Sequence, residues 1–260
     1  MSSLLHYQRQ GHGQPLVILH GLFGSLDNWN SITRQLAEHY DVISVDLRNH
    51  GRSFHAEPHD YSSMSSDVLA LLDALQLESI LLMGHSMGGK AAMQLAMQHS
   101  ERIARLIVVD IAPVDYPRHH DDVFSGLNSL NLSELKSRSA ADKALTPFID
   151  DMSVRQFLLR SLYKNDEGKF AWRFNLQQLE SDYRFISKAP EGENYAGPAL
   201  FIKGANSHYL KQEYASAVTR RFPDASYKII QDTGHWPHAE KPELFLSVVE
   251  RFLAMTSEQK

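Results

Sequence analysis

Six short apolar runs mark this chain, at Leu16–Leu19, Val42–Val45, Ile80–Met83, Leu106–Val109, Ala199–Ile202 and Tyr227–Ile230. Each is too short for a helix and mainly apolar, with Ser44 and Lys228 the polar exceptions, the pattern of strands in a parallel sheet. Helical periodicity lies between them. Trp29, Ile32 and Leu36 stripe the segment Asn28–His39. Met64, Val68, Leu71, Leu72 and Leu75 stripe Ser62–Gln76, and small apolar residues fill Met87–Gln98. Helices are also expected at Leu210–Phe222 and Pro242–Leu253, the latter opened by a proline suited to a first turn. Strands alternating with amphipathic helices predict an α/β fold, a mostly parallel sheet with helices on both faces.

The alternation stops after Asp110 and resumes at Ala199. The text between is helix-like but irregular and contains no clear buried strand. The expected organisation is one α/β core, residues 1–113 and 191–260, interrupted by a helical cap insertion at 114–190. An insertion there should lie over the C-terminal edge of the sheet. Its apolar residues Phe124, Leu127, Phe148, Phe157, Leu158, Tyr163, Trp172 and Phe174 are then available to wall a pocket.

At 260 residues and 43% hydrophobic, the chain can bury a sizeable core. Net charge is −5 and basic residues are not clustered, which argues against a nucleic-acid surface. The absence of cysteine rules out disulfides, thiolate metal sites and a Cys nucleophile together. The first residues lack the charged start and apolar run of a leader peptide. No apolar run approaches the ~20 residues needed to span a bilayer. These features are those of a cytoplasmic protein without a membrane partner. Nothing in the pattern indicates an oligomeric state.

Chemistry is concentrated at three turns. Gly84-His85-Ser86-Met87-Gly88-Gly89 falls directly between a strand and a helix, the context in which Gly-x-Ser-x-Gly forms a nucleophile elbow. The flanking glycines permit a tight turn that would lift the Ser86 hydroxyl to a helix N-terminus, where free N–H groups favour negative charge. The second turn, His20-Gly21-Leu22-Phe23-Gly24, follows the first core strand. Acyl transfer needs two N–H donors for the developing oxyanion, and the backbones of Met87 and Leu22 are the candidates. Phe23 is then placed to line the pocket. The third turn holds Gly234-His235-Trp236, after the last strand. A neutral imidazole at His235 can take the Ser86 proton and return it to the leaving group. Trp236 is either a pocket wall or core packing.

Other polar groups carry blander expectations. Most of the 14 histidines, His6, His12 and His39 among them, are expected on the surface. His119-His120 with Asp121-Asp122, and His235 with His238, lack the spacing of a metal site, so neither metal nor cofactor is expected. Arg48-Asn49-His50-Gly51-Arg52-Ser53 reads as a hydrogen-bonded turn bracing the site. Lys90 sits in the first turn of a helix, where the dipole disfavours positive charge, so a carboxylate partner from Asp110–Asp115 is expected.

With Ser86, His235 and the His20-Gly21 loop in place, the chain resembles the α/β-hydrolase superfamily. Within it, the segments Gly84–Lys90, Asp110–Tyr116, Gly234–Trp236, His238–Pro242, His20–Asn28 and Asp46–Gly51 resemble bacterial YbfF-type esterases. The resemblance covers nearly the whole chain and weakens in the middle insertion. It implies hydrolysis of short to medium acyl esters, or of acyl thioesters, through a covalent acyl-enzyme, with a small molecule as substrate. The residues by themselves reach only acyl hydrolase. Peptidases and carbon–carbon bond hydrolases share the triad, whereas dehalogenases and epoxide hydrolases of this fold use an Asp where Ser86 stands. A ligand receptor on the same fold is the alternative outside enzymes.

One departure concerns the acid. Most relatives carry it just after the strand that follows the cap, where this chain has Lys203-Gly204-Ala205-Asn206-Ser207-His208. Neither Asn206 nor Ser207 can supply the charge that stabilises an imidazolium. Asp110 ends the strand expected to neighbour the nucleophile strand, and an acid there is a known variant of the family pattern. Asp110 is therefore the expected third member, with Asp115 and Asp232 as competitors.

Overall fold

The computed structural model describes residues 4–255. The first half contains β1 (Tyr7–Gln10), β2 (Pro15–Leu19), α1 (Asn30–Leu36), β3 (Asp41–Val45), α2 (Tyr61–Ala74), β4 (Ile80–His85), α3 (Met87–Gln98) and β5 (Ile103–Val109). A middle section follows with α4 (Asp121–Ser129), α5 (Arg138–Leu145), α6 (Met152–Arg160), β6 (Leu162–Lys164), β7 (Phe170–Trp172), α7 (Leu176–Ser181) and α8 (Tyr183–Ile186). The chain returns through β8 (Ala199–Gly204), α9 (Ala215–Arg221), β9 (Ala225–Ile230), α10 (Pro237–Glu240) and α11 (Pro242–Ala254).

Seven strands form one sheet in the order β1-β3-β2-β4-β5-β8-β9. Only β1 runs antiparallel; every other neighbouring pair is parallel. The α/β class read from the sequence is the one observed. From β2 the chain builds outward to β3, then crosses back to lay β4 on the other side of β2. That reversal opens a crevice at the C-terminal ends of β2 and β4, where open α/β sheets hold their ligands. The register pairs Leu19 with Gly84 and His85 with Val109. The turns after β2, β4 and β5 therefore emerge side by side.

Apolar residues pack on both faces of the sheet. One face is covered by α2, α3 and much of the middle section. The other holds α1, α11 and the buried Trp29 ring. Helix α3 is buried almost all round and sits close to the strands. At Gly84 a Cβ would meet the Gly88 carbonyl oxygen at 2.2 Å, and at Gly88 it would meet the His20 oxygen at 2.4 Å. Both glycines are required by backbone approach rather than by dihedral angles.

Three elements differ from the sequence expectation. Strand β1 escapes a hydrophobic search because, at the edge of the sheet, it carries Tyr-Gln-Arg-Gln with one half-buried and three exposed side chains. The β6/β7 hairpin breaks the otherwise helical middle section, and strands of three residues are too short to show a period. The helix expected over Leu210–Phe222 is α only from Ala215, after a 3₁₀ turn at Gln212–Tyr214. Among the described residues no helix is long and apolar enough to cross a membrane.

Candidate active site

The turn after β4 holds Ser86 at φ 52° and ψ −118°. A side chain at positive φ is strained, and such strain persists only where the surroundings enforce it. Here the Ser86 N–H donates to the Val109 carbonyl (3.0 Å), and its own carbonyl accepts the first bond of α3 from Lys90 (3.0 Å). The hydroxyl is thus carried on a fixed turn at the N-terminus of a twelve-residue helix.

His235 lies after β9, and Asp110 is buried at the end of β5 with φ 53°. The His235 Nδ1–H donates to Asp110 Oδ2 at 2.7 Å. A carboxylate only accepts, so this bond sets the tautomer and leaves Nε2 unprotonated for chemistry. Asp110 takes two further donors: the Gly204 N–H at 3.1 Å on Oδ1 and the Ser207 hydroxyl on Oδ2. Ser207, at the position where the family pattern would place an acid, thus donates to the Asp110 carboxylate. Asp115 instead pairs with Lys188 (2.8 Å) and Asp232 with Lys241 (2.9 Å), both in exposed positions.

Ser86 and His235 open into one cavity of about 890 Å³. Its lining includes Leu22, Phe23 and Met87 from the sheet side, together with Phe148, Phe157 and Leu158 from the middle section. Trp236 also lines it, with its ring 5.2 Å from that of Phe157. Phe23 is buried and meets Phe124 and Phe174 edge-on at 5.4 and 5.2 Å. Phe124, Leu127 and Phe174 are packed in the core, and Tyr163 lines a separate cleft with Lys164 and Phe170. The expected pocket walls therefore divide between wall and packing.

The loop after β2 is clamped from two sides. The Phe23 N–H donates to His50 Nε2 (3.1 Å), and its carbonyl accepts from the Ser161 hydroxyl (2.8 Å). The Phe23 amide is thereby spent. Among the described residues neither the Leu22 N–H nor the Met87 N–H has a protein acceptor, and both residues face the cavity. His50 can accept because its Nδ1–H donates to the Arg48 carbonyl (3.0 Å), which fixes the tautomer. Burial pushes His50 well below the ordinary histidine value, so it stays neutral.

The expectation of mostly surface histidines holds for His12 and His39, which are exposed, and His6 is half-buried, but His20, His50, His59, His85 and His238 are buried. His85 donates its Nε2–H to the His235 carbonyl at 2.7 Å, tying the turn that carries Ser86 to the loop that carries His235. His238 stacks on Trp29 at 4.2 Å, and burial lowers it to about 3. Among the described residues no cluster of three or more His, Cys, Asp or Glu side chains is arranged to hold a metal ion.

Lys90 is a second correction. It is fully buried, and its Nζ donates to three carbonyls rather than a carboxylate: Val114 (2.8 Å), Ser187 (3.2 Å) and Lys188 (2.5 Å). Those carbonyls stand on the two connections between the sheet and the middle section. Sequence cannot reveal them, because any residue supplies a carbonyl. Burial, opposed in part by Asp115, lowers the Lys90 amine from 10.5 to about 7. Between these values the unfolded chain holds the proton and the folded one does not. This site's contribution to stability should therefore rise as pH climbs from about 7 to 10.5 and be lowest below 7. Thermal unfolding of the wild type and Lys90→Met from pH 6 to 10 should show the difference moving in favour of the wild type. A pH-independent difference would disprove the linkage.

Comparison with known proteins agrees with the fold. Residues 14–242 match the family described as the alpha/beta hydrolase fold. The chain is 39% identical over 247 residues to Esterase YbfF of Escherichia coli, covering 95% of each chain. It is 40% identical over 248 residues to the mouse sn-1-specific diacylglycerol lipase ABHD11, covering 92% of this chain and 80% of that one. A solved structure described as a marine microorganism esterase superposes with a TM-score of 0.94 at 36% identity, covering 96% of this chain and all of the other.

Proposed function

This chain belongs to the alpha/beta hydrolase fold family, and from that premise we propose that it is a serine esterase acting on short to medium acyl esters through a covalent acyl-enzyme. The observation that carries the reading is the 2.7 Å bond from His235 Nδ1 to buried Asp110, in the cavity that also holds Ser86. That bond leaves Nε2 free as the base. The two relatives compared above are named as an esterase and a diacylglycerol lipase, which favours oxygen esters over thioesters.

The steps follow from the residues present. Ser86 Oγ attacks the ester carbonyl carbon while His235 Nε2 takes its proton. Asp110 stabilises the imidazolium without itself being protonated. The Leu22 and Met87 N–H groups hold the tetrahedral oxyanion. Collapse breaks the bond to the alcohol oxygen, which receives the proton from His235. Water, deprotonated by His235, then attacks the acyl carbon; collapse breaks the bond to Ser86 Oγ, which receives that proton from His235, and the carboxylic acid is released. Residues 114–190 act as a cap in this scheme, with Phe148, Phe157 and Leu158 forming the apolar wall for the acyl chain beside Trp236 and Phe23.

A panel of p-nitrophenyl esters and acyl-CoA thioesters of graded length tests the substrate class. Each buried CH₂ is worth about 0.8 kcal/mol, so kcat/KM should climb about fourfold per CH₂ until the wall is filled. The esters should outperform thioesters of equal length. Faster thioester turnover would reassign the substrate, and stoichiometric product release without turnover would make this a binding protein.

A further inference from the structure

The loop after β8 lacks the acid usual at that place, yet it is wrapped around the Asp110–His235 pair. Ser207 donates its hydroxyl to Asp110 and accepts the Tyr209 N–H at 3.2 Å. The Tyr209 ring lies on the His235 imidazole, with centroids 4.1 Å apart and planes inclined by 28°. The ring is fixed at both ends. The Tyr116 hydroxyl donates to its backbone carbonyl, and its own hydroxyl meets His119 Nε2 at 2.7 Å. His119 Nδ1 faces the Pro117 carbonyl (2.7 Å), so Nδ1 carries the hydrogen and Nε2 accepts from the phenol. Burial pushes the Tyr209 phenol above its ordinary value, and the ring stays neutral.

We propose that Tyr209 is a positioning residue for the base: its ring face holds the imidazole plane and stabilises the imidazolium that forms when Ser86 gives up its proton. This rests on the reading of Ser86 and His235 as nucleophile and base. An aromatic face attracts a cation, and the attraction grows when water is excluded. Neutral imidazole gains less, so the contact acts more on the transition state than on the ground state. The phenol's donation to His119 adds electron density to the ring. Asp110 supplies the charge in the ring plane; Tyr209 covers one face.

The acidic limb of the kcat/KM profile reports this contact, because the base must be unprotonated to act. The other histidines facing His235 are His85, His238 and His120. Burial lowers all three, His238 and His120 to about 3, so they stay neutral where the limb is read. Tyr209→Leu keeps an apolar side chain but removes the ring. It should lower kcat about three- to tenfold, move the limb down by about half a pH unit and leave KM within about twofold. Tyr209→Phe keeps the face and should stay within about threefold of the wild type. Phenylalanines of rising fluorine content at position 209 keep the shape and deplete the ring, so kcat should fall stepwise along the series. That series also decides the matter should the Leu variant fail to fold. A flat fluorination series, or a folded Leu variant with an unmoved limb, overturns the inference. Retained turnover in Ser86→Ala would instead defeat the catalytic reading beneath it.

Discussion

Ser86→Ala leaves a folded protein whose ester turnover drops by about 10⁶ in kcat, the scale seen when a serine hydrolase loses its nucleophile. The substitution removes one oxygen atom. The backbone bonds that hold the turn run from the Ser86 N–H to Val109 and from Lys90 to the Ser86 carbonyl, and neither involves the hydroxyl. Alanine also meets the same positive φ with no larger side chain, so the thermal transition should shift little. A serine-directed fluorophosphonate should add one label to the wild type, at Ser86, and none to the variant. Turnover within about a hundredfold of the wild type, or labelling at another serine alone, would dismiss Ser86 as the nucleophile.

Asp110→Asn costs up to about 10⁴ in kcat with the fold retained, by analogy with the orienting carboxylate of a serine-protease triad. Asp110 accepts three hydrogen bonds, from His235, Gly204 and Ser207. An asparagine has one acceptor oxygen, and the Gly204 N–H and Ser207 hydroxyl compete for it. Its amide then faces His235 Nδ1 as a donor, which favours the tautomer with hydrogen on Nε2. The base is consumed and no charge remains for the imidazolium. Steady-state kinetics on a p-nitrophenyl ester, with circular dichroism as the fold control, measure the effect. Near-full activity in this variant would return the acid role to another carboxylate.

Much of this site is written locally. Gly84, Ser86 and Gly88 announce a strand–turn–helix, because a turn that tight admits no side chain beside it. His235 is legible from its place after the last strand. Asp110 is harder, since the role proposed for it follows only once Ser207 is seen to occupy the usual acid position and β5 is taken to neighbour β4. Lys90 shows the opposite outcome. The dipole argument demanded a partner for its charge but could not choose backbone carbonyls over a carboxylate. The stacking of Tyr209 on His235 left no trace at all, because one tyrosine among ten in a loop carries no periodicity.

The sequence by itself determined the α/β class, the break between Asp110 and Ala199, and the positions of the chemical turns. These depend on apolar periodicity and on glycine placement, which are properties of neighbours along the chain. Only the tertiary structure decided which groups meet. His50 reaches the Phe23 amide across 27 residues, and His85 reaches the His235 carbonyl across 150. The edge strand β1 likewise takes its form from β3, a partner distant in sequence, and from its place at the rim. Such contacts are set by strand order and by the crossover between β3 and β4, and no local pattern encodes the side chain waiting on the neighbouring loop.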